Sequence, residues 1–299
     1  FFLHPTRQSP ILSGLVGSEM CIRDRVACSQ MESLALAEAA PKQPNIVVMM
    51  VDDMGFSGPS IAPYGNPHYK TPGMDRLARE GMLFTDFHSS GTVCSSTRAG
   101  LLTGRYQQRV GIEAVIHPHA THPEHRKGLQ KSDITFAELF KQAGYATGCF
   151  GKWHNGANYP FHPRGQGFDE FFGFTHEGHY FVPPPWDGVT TWLRRSVLPG
   201  GGRGRFTSAD GRVIYSTQMN GTEPAYDANN PIIRGGQSVI EEAYLTDAFT
   251  REAVDFIDRN KDRPFFLLLA YNACLLYTSP SPRDQRGARV AGWWWKKKR

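Results

Sequence analysis

The chain has 299 residues, 33 Lys and Arg against 28 Asp and Glu for a formal charge of +5, and 40% hydrophobic residues. That length suits one domain with a sizeable core or most of a larger one. No run is long and apolar enough to span a membrane, and the five cysteines show no paired spacing of a disulfide framework or zinc finger.

The ends differ in kind from the middle. Residues 274–284 read Cys-Leu-Leu-Tyr-Thr-Ser-Pro-Ser-Pro-Arg-Asp, and Leu15 to Asp24 read Leu-Val-Gly-Ser-Glu-Met-Cys-Ile-Arg-Asp. One back-translation of the first, read on the opposite strand in a shifted frame, encodes the second residue for residue. Two peptides from opposite strands of one oligonucleotide are what a translated sequencing adapter leaves. Residues 1–25 and 274–299 are therefore set aside as adapter artefact. Residues 26–43 are expected to be a leader or linker, and 44–273 the protein's own domain. The flanks hold ten of the basic and three of the acidic residues, so 23 and 25 remain, about −2 net. That charge gives no support to nucleic-acid binding. Cys28, Cys94 and Cys149 are the cysteines left.

Asn45 to Val51 is a continuous apolar run ended by Asp52, the pattern of a strand buried on both faces of a parallel sheet. Thr71-Pro72-Gly73 opens a helix that Gly81 ends, and Met82 to His88 reads as the next strand. Thr135 to Ala143 is a helix, closed by Gly144, and Tyr145 to Phe150 the strand after it. Trp186 to Asn230, rich in Gly, Pro, Asn and Ser, reads as a long surface excursion. Glu241 to Asn260 has a broad apolar helical face, and Pro264 leads into the apolar strand Phe265 to Tyr271. Alternating buried strands and helices predict an α/β sandwich around a mostly parallel sheet. Sites in such sheets lie at the carboxyl ends of strands.

Three clusters follow such strands. Asp52-Asp53 places two carboxylates side by side, which favours a hard cation such as Ca²⁺ or Mg²⁺; a solvated turn is the plainer alternative. Cys94 stands four residues before Arg98 at a helix-like start, where positive potential makes a thiol reactive; a buried structural cysteine is the alternative. Lys152 and His154, spaced i, i+2 in an extended segment, would share one face. A Lys there can hold an oxyanion and a His can move protons, unless they are a solvated strand end and a satisfied core residue. His117, His119, His122 and His125 invite a zinc site, but a loop at a substrate rim explains them more simply. Thr175, His176 and His179 are further candidates to face substrate. Asn220-Gly221-Thr222 fits a glycosylation acceptor, and Cys149 reads as core.

Taken in order, Asp52-Asp53, Cys94-Ser95-Ser96-Thr97-Arg98 and Gly151-Lys152-Trp153-His154 resemble the amino-terminal half of a sulfatase. The resemblance covers nearly all of Pro44 to Ala273. It implies an alkaline-phosphatase-like sandwich whose carboxyl-terminal part is missing here. It also implies a sulfuric ester hydrolase in which Cys94 is oxidised to formylglycine by a formylglycine-generating enzyme, and the hydrate attacks a sulfate ester. Asp52, Asp53 and the modified Cys94 would bind Ca²⁺, or Mg²⁺ in its place. Arg98 would hold the hydrate, Lys152 a sulfate oxygen, and His154 the nucleophile's hydroxyl. A sulfated small molecule or glycan is the implied substrate, in an extracytoplasmic compartment (secreted, periplasmic or lysosomal). The family's usual motif is Cys-x-Pro-x-Arg, and Ser96 stands in place of the proline; Asn155 stands where Leu is common. Two rivals remain: a phosphoesterase or phosphonate monoester hydrolase of the same superfamily, and a pseudo-sulfatase that binds sulfated glycan without catalysis.

The fragment itself is expected to be inactive, because the family's leaving-group His and second set of metal ligands fall after Ala273. Sequencing the native transcript across the Ala273 codon should show Pro-His next, with an Asp-rich metal motif and a Lys downstream. A genuine message continuing as residues 274–299 would rule out catalysis.

Overall fold

The computed structural model describes residues 2–3, 43–54, 65, 70–117, 123–218, 222, 225, 226, 228, 230–273 and 278–279. In chain order the elements begin with β1 (Phe2–Leu3), β2 (Ile46–Val51), α1 (Pro72–Glu80), β3 (Met82–Leu83), α2 (Cys94–Thr103), α3 (Phe136–Gln142), β4 (Ala146–Lys152) and β5 (Glu170–Phe174). They continue with β6 (Thr190–Arg194), β7 (Arg205–Thr207), β8 (Val213–Ser216), β9 (Ile233–Arg234), β10 (Gln237–Ser238), α4 (Leu245–Asn260), β11 (Phe265–Tyr271) and β12 (Thr278–Ser279). Two compact units result: residues 1–43 with 56–87, and residues 44–55 with 88–299.

In the first unit, β1 and β3 pair antiparallel. Pro72 stands in the first turn of α1, and the Gly81 N–H closes the helix on the Leu77 carbonyl. The expected strand Met82 to His88 shrinks to Met82–Leu83. The polar run Thr85-Asp86 interrupts the alternation a longer strand needs.

The second unit is the sandwich. Its six-stranded sheet runs β10-β9-β5-β4-β11-β2. β2, β11, β4 and β5 are mutually parallel, and β9 and β10 form an antiparallel hairpin at one edge. β11 shows why the sheet is covered twice. Its side chains alternate, so Phe266, Leu268 and Ala270 enter a core with Ala99 and Leu102 of α2 and Ala137 of α3. Phe265, Leu267 and Leu269 enter the opposite core with Leu245, Ala248, Phe249 and Phe256 of α4. α3 starts on a capping box between Thr135 and Glu138, and Gly144 takes φ +86° to turn the chain into β4.

Three further sequence expectations change. β2 is an edge strand among the described residues, and Val47 and Met49 stay 44% and 55% exposed. A continuous apolar run does not reveal which strand lies at the edge. α4 begins at Leu245 rather than Glu241, with Tyr244 as its cap. From Trp186 the excursion contributes β6, β8 and β7, which form a second sheet in the order β12-β6-β8-β7, on a small core of Tyr180, Leu193 and Val213.

Phe266 is fully buried among Phe136, Phe140 and Phe168, with ring centroids 5.1, 4.9 and 5.9 Å away. Phe266→Ala is expected to cost about 3–5 kcal/mol, read as a lowered urea midpoint. A loss under about 1 kcal/mol would contradict the packing described.

Candidate active site

The tips of β2, β4 and β11 meet the start of α2. Val93, extended at φ −134°, caps α2, so Cys94 is its first residue and its thiol is free. The chain from Phe84 to Val93 carries no strand, so Cys94 reaches the site from a loop rather than from a strand end. Ser96 lies in the first turn, where the first intrahelical bond runs from the Thr97 N–H to the Val93 carbonyl at 3.0 Å. The Ser96 N–H therefore has no helical partner to lose, and a proline there would fit equally well. Ser96 Oγ donates instead to the Val93 carbonyl at 3.0 Å.

One turn on, Arg98 lies on the same side of α2 as Cys94. It is buried and spans two strand tips, donating to the Lys152 carbonyl at 2.6 Å and reaching Asp52 Oδ2 at 3.5 Å. Burial lowers its pKa while Asp52 opposes the shift. Lys152 is fully buried at the end of β4 and its Nζ donates to the same Asp52 Oδ2. Asp52 is anchored in turn, its N–H donating to the Ala273 carbonyl at 2.9 Å and the Tyr271 carbonyl at 3.3 Å. Asp53 takes φ +58° and is more exposed than Asp52. Loss of hydration, then the Asp52 charge, raises its pKa above the usual carboxylate value.

His154 is fully buried, but the i, i+2 argument fails for it, because its φ of +59° breaks the extended run. Its N–H donates to the Thr175 carbonyl at 3.2 Å, and Nε2 lies 2.9 Å from the Ile116 carbonyl. Burial, and Lys152 beside it, push its pKa well below the ordinary 6.5. The ring is neutral. A carbonyl only accepts, so Nε2 carries the proton and Nδ1 is a bare acceptor with no partner among the described residues.

The clusters thus converge: Asp52, Arg98 and Lys152 touch, Arg98 brings the start of α2 to them, and His154 is two residues beyond Lys152. Of the four histidines in the Pro-rich stretch, His117 and His125 are described, while His119 and His122 lie outside the described residues. His125 bonds the His117 carbonyl at 3.1 Å and stacks on His176 at 5.7 Å. No group of three metal-ligating side chains forms among the described residues. His176 and His179 are both buried. The glycosylation triplet keeps only Thr222 within the described residues.

Sequence reasoning missed two asparagines. Asn230 ends the excursion, yet it is buried, and its Oδ1 accepts from the Thr175 and His176 N–H groups at 3.1 and 3.0 Å. Its Nδ2 donates to the Gly178 carbonyl at 2.8 Å. It clamps the turn that in turn holds the His154 backbone. Partners more than 50 positions away left no local signal. Asn272, fully buried, follows the pairing of Tyr271 with Val51 and so sits beside Asp52. A polar residue ending an apolar strand was a readable sign.

The donors suit a hard divalent cation in kind. Asp53 has no hydrogen-bond or ion-pair partner among the described residues, and Asp52 keeps Oδ1 clear of its two cations. Two carboxylates supply only part of the six to eight oxygens that Ca²⁺ takes.

The Sulfatase family profile matches residues 44–280. The chain belongs to the sulfatase family. It is 37% identical to dog N-acetylgalactosamine-6-sulfatase over 79% of this chain and 41% of that protein. It is 39% identical to human arylsulfatase A over 80% of this chain and 42% of that one. The crystal structure of Ps i-CgsB aligns at a TM-score of 0.60 with 30% identity, over 78% of this chain and 46% of its own. That of PsFucS1 sulfatase from Pseudoalteromonas sp. aligns at 0.53 with 23% identity, covering 81% and 46%, which supports the fold. The chain spans about two-fifths of the length of the curated relatives it matches. This sulfatase chain therefore has the expected alkaline-phosphatase-like α/β sandwich, and among its described residues no helix is long and apolar enough to cross a membrane.

His162 packs edge-on against Phe171 at 5.0 Å, and burial, then Arg164, lowers its pKa to about 4. His154 and His162 stay neutral when folded but titrate near about 6.5 when unfolded. Below that pH the unfolded chain binds more protons, so stability is full above about 6.5 and falls as the pH drops toward about 4. The urea midpoint should be lower at about pH 5 than at about pH 7.5, and His162→Gln should narrow the gap. Equal midpoints for the unaltered protein would refute this.

Proposed function

We propose that the full-length protein is a sulfuric ester hydrolase and that Cys94, Arg98, Lys152 and His154 carry the reaction. The observation behind this is the convergence of two buried cations and a bare histidine acceptor with the cysteine that opens α2. Oxidised to formylglycine by a formylglycine-generating enzyme, Cys94 would supply a hydrated aldehyde as nucleophile. Arg98 and Lys152 present N–H donors to oxyanion charge in a dry site, where such donors act strongly. His154 Nδ1, unprotonated, accepts a proton from a hydroxyl placed before it. The net chemistry breaks an ester bond to sulfur and adds the elements of water, releasing an alcohol and sulfate.

Asp52 and Asp53 with modified Cys94 would hold a divalent cation, Ca²⁺ or Mg²⁺, which supplies positive charge at the reacting oxygens. The balance of charge supports it. Two carboxylates against Arg98 and Lys152 leave the site near neutral, so an anionic ester gains little net attraction until a cation joins it. A sulfated sugar is the substrate class we favour. One relative is named for N-acetylgalactosamine-6-sulfate chemistry, and Ps i-CgsB is solved in complex with k-i-k-neocarrahexaose. An extracytoplasmic location accords with such substrates.

Peptide mass spectrometry of the full-length protein should find an aldehyde at Cys94, and aryl sulfate should be turned over in preference to aryl phosphate. Lys152→Met is expected to lower kcat/KM on aryl sulfate by about 10²–10³. A thiol at Cys94 in every expression host, or preference for aryl phosphate, would sink the reading.

A further inference from the structure

The small sheet β12-β6-β8-β7 has an asymmetric charge distribution. β6 and β8 are parallel and β7 is antiparallel to both. The ends of β6 and β8 therefore meet the start of β7. Arg194 and Arg205 lie in register on either side of Ser216. The Arg195 N–H donates to the Ser216 carbonyl at 2.9 Å, and the Thr217 N–H to the Gly204 carbonyl at 3.0 Å. These bonds gather Arg194, Arg195, Arg203 and Arg205 at one end of the sheet. At the other end Arg212 is neutralised by Asp187 at 2.6 Å and Asp210 at 3.8 Å.

Arginines elsewhere in this unit also pair: Arg234 with Glu252, Arg251 with Glu241, and Arg259 with Glu170. Arg195, Arg203 and Arg205 have no carboxylate partner among the described residues. Two of them are nevertheless held in place. Arg205 lies over the Trp192 ring at 4.7 Å and donates twice to Gln218 Oε1, at 3.2 and 3.0 Å. Arg195 lies over Tyr215 at 5.5 Å. Guanidinium groups laid on rings keep their charge and lose less freedom when they take up a ligand.

We propose that this arginine end binds the polymeric part of a sulfated glycan, away from the ester being cleaved. The proposal rests on the sulfatase reading of the site. A guanidinium fork matches two oxygens of a sulfate group. Neighbouring strands lie about 4.8 Å apart, so Arg205 of β7 and Arg195, one residue past β6, stand about 10 Å apart with β8 between them, Arg205 on the Trp192 face and Arg195 on the Tyr215 face, and positive charge wraps around this end of the sheet. That spacing fits charges repeated along a chain better than a single anion. The surface would raise affinity and on-rate for long substrates and leave small ones unaffected.

The test uses the full-length protein, with Arg195→Ser, Arg203→Ser and Arg205→Ser combined, and Arg212→Ser as a control. The readouts are affinity for heparin and for desulfated heparin, turnover of an aryl sulfate, and thermal melting. The triple variant should melt like the parent, turn over aryl sulfate within about twofold, and bind heparin at least about tenfold more weakly; Arg212→Ser should bind as the parent does. Unchanged heparin affinity in the triple variant would overturn the proposal. So would equal binding of desulfated heparin, or equal binding of duplex DNA of matched charge. Should the parent turn over no aryl sulfate while the heparin pattern holds, the proposed function fails and the surface stands.

Discussion

The buried contact of Asp52 with Lys152 and Arg98 is the constraint around which the site is arranged. Removing a Lys and an Arg from water costs several kcal/mol each unless their charges are met. One carboxylate oxygen meets both. Because Asp52 sits at the tip of β2, Lys152 at the tip of β4 and Arg98 on α2, that requirement fixes two strands and a helix against one another. It also fixes where Cys94 must lie, since the residue one turn before Arg98 cannot move independently of it. β11, between β4 and β2, contributes through its backbone, holding the Asp52 N–H from Tyr271 and Ala273.

Much of this was legible from residue type and spacing. β11 and α3 declared themselves by apolar pattern and, for α3, by the Gly144 that closes it, and the three site clusters lay in recognisable strings. What was illegible depended on partners distant in sequence. That β2 is an edge strand is decided by which strands lie beside it, not by its own six apolar residues. The left-handed backbone of His154 and its tautomer depend on carbonyls at Thr175 and Ile116. Asn230 looked like one more polar residue in a loop, because the groups it clamps are 52 to 55 positions earlier. The excursion looked irregular because its strands are short and separated by glycine-rich turns, although Thr191 and Leu193 already alternate inward against Trp192.

Ser96 shows how a departure from a family pattern can be weighed by geometry. A proline is tolerated in the first turn of a helix because that turn has amide groups without helical acceptors. Ser96 occupies such a position, and its hydroxyl returns to the Val93 carbonyl. The helix start that aims Cys94 and Arg98 is therefore built with or without the proline. The substitution leaves unchanged how the folded site holds the segment.

The site also separates what its residues do from what they need. Lys152 and Arg98 already satisfy Asp52, so before substrate arrives their charge is largely spent. On the proposed function, an anionic ester would compete with Asp52 for the same two donors. That competition is favourable only if something else takes up the Asp52 charge, and the adjacent carboxylate is that of Asp53, whose own proton affinity is raised by loss of hydration and then by the Asp52 charge. Asp52 and Asp53 would hold a divalent cation, whose positive charge would offset theirs and leave Lys152 and Arg98 freer to meet an anion. Cation and anion would then bind with positive coupling, each improving the site for the other.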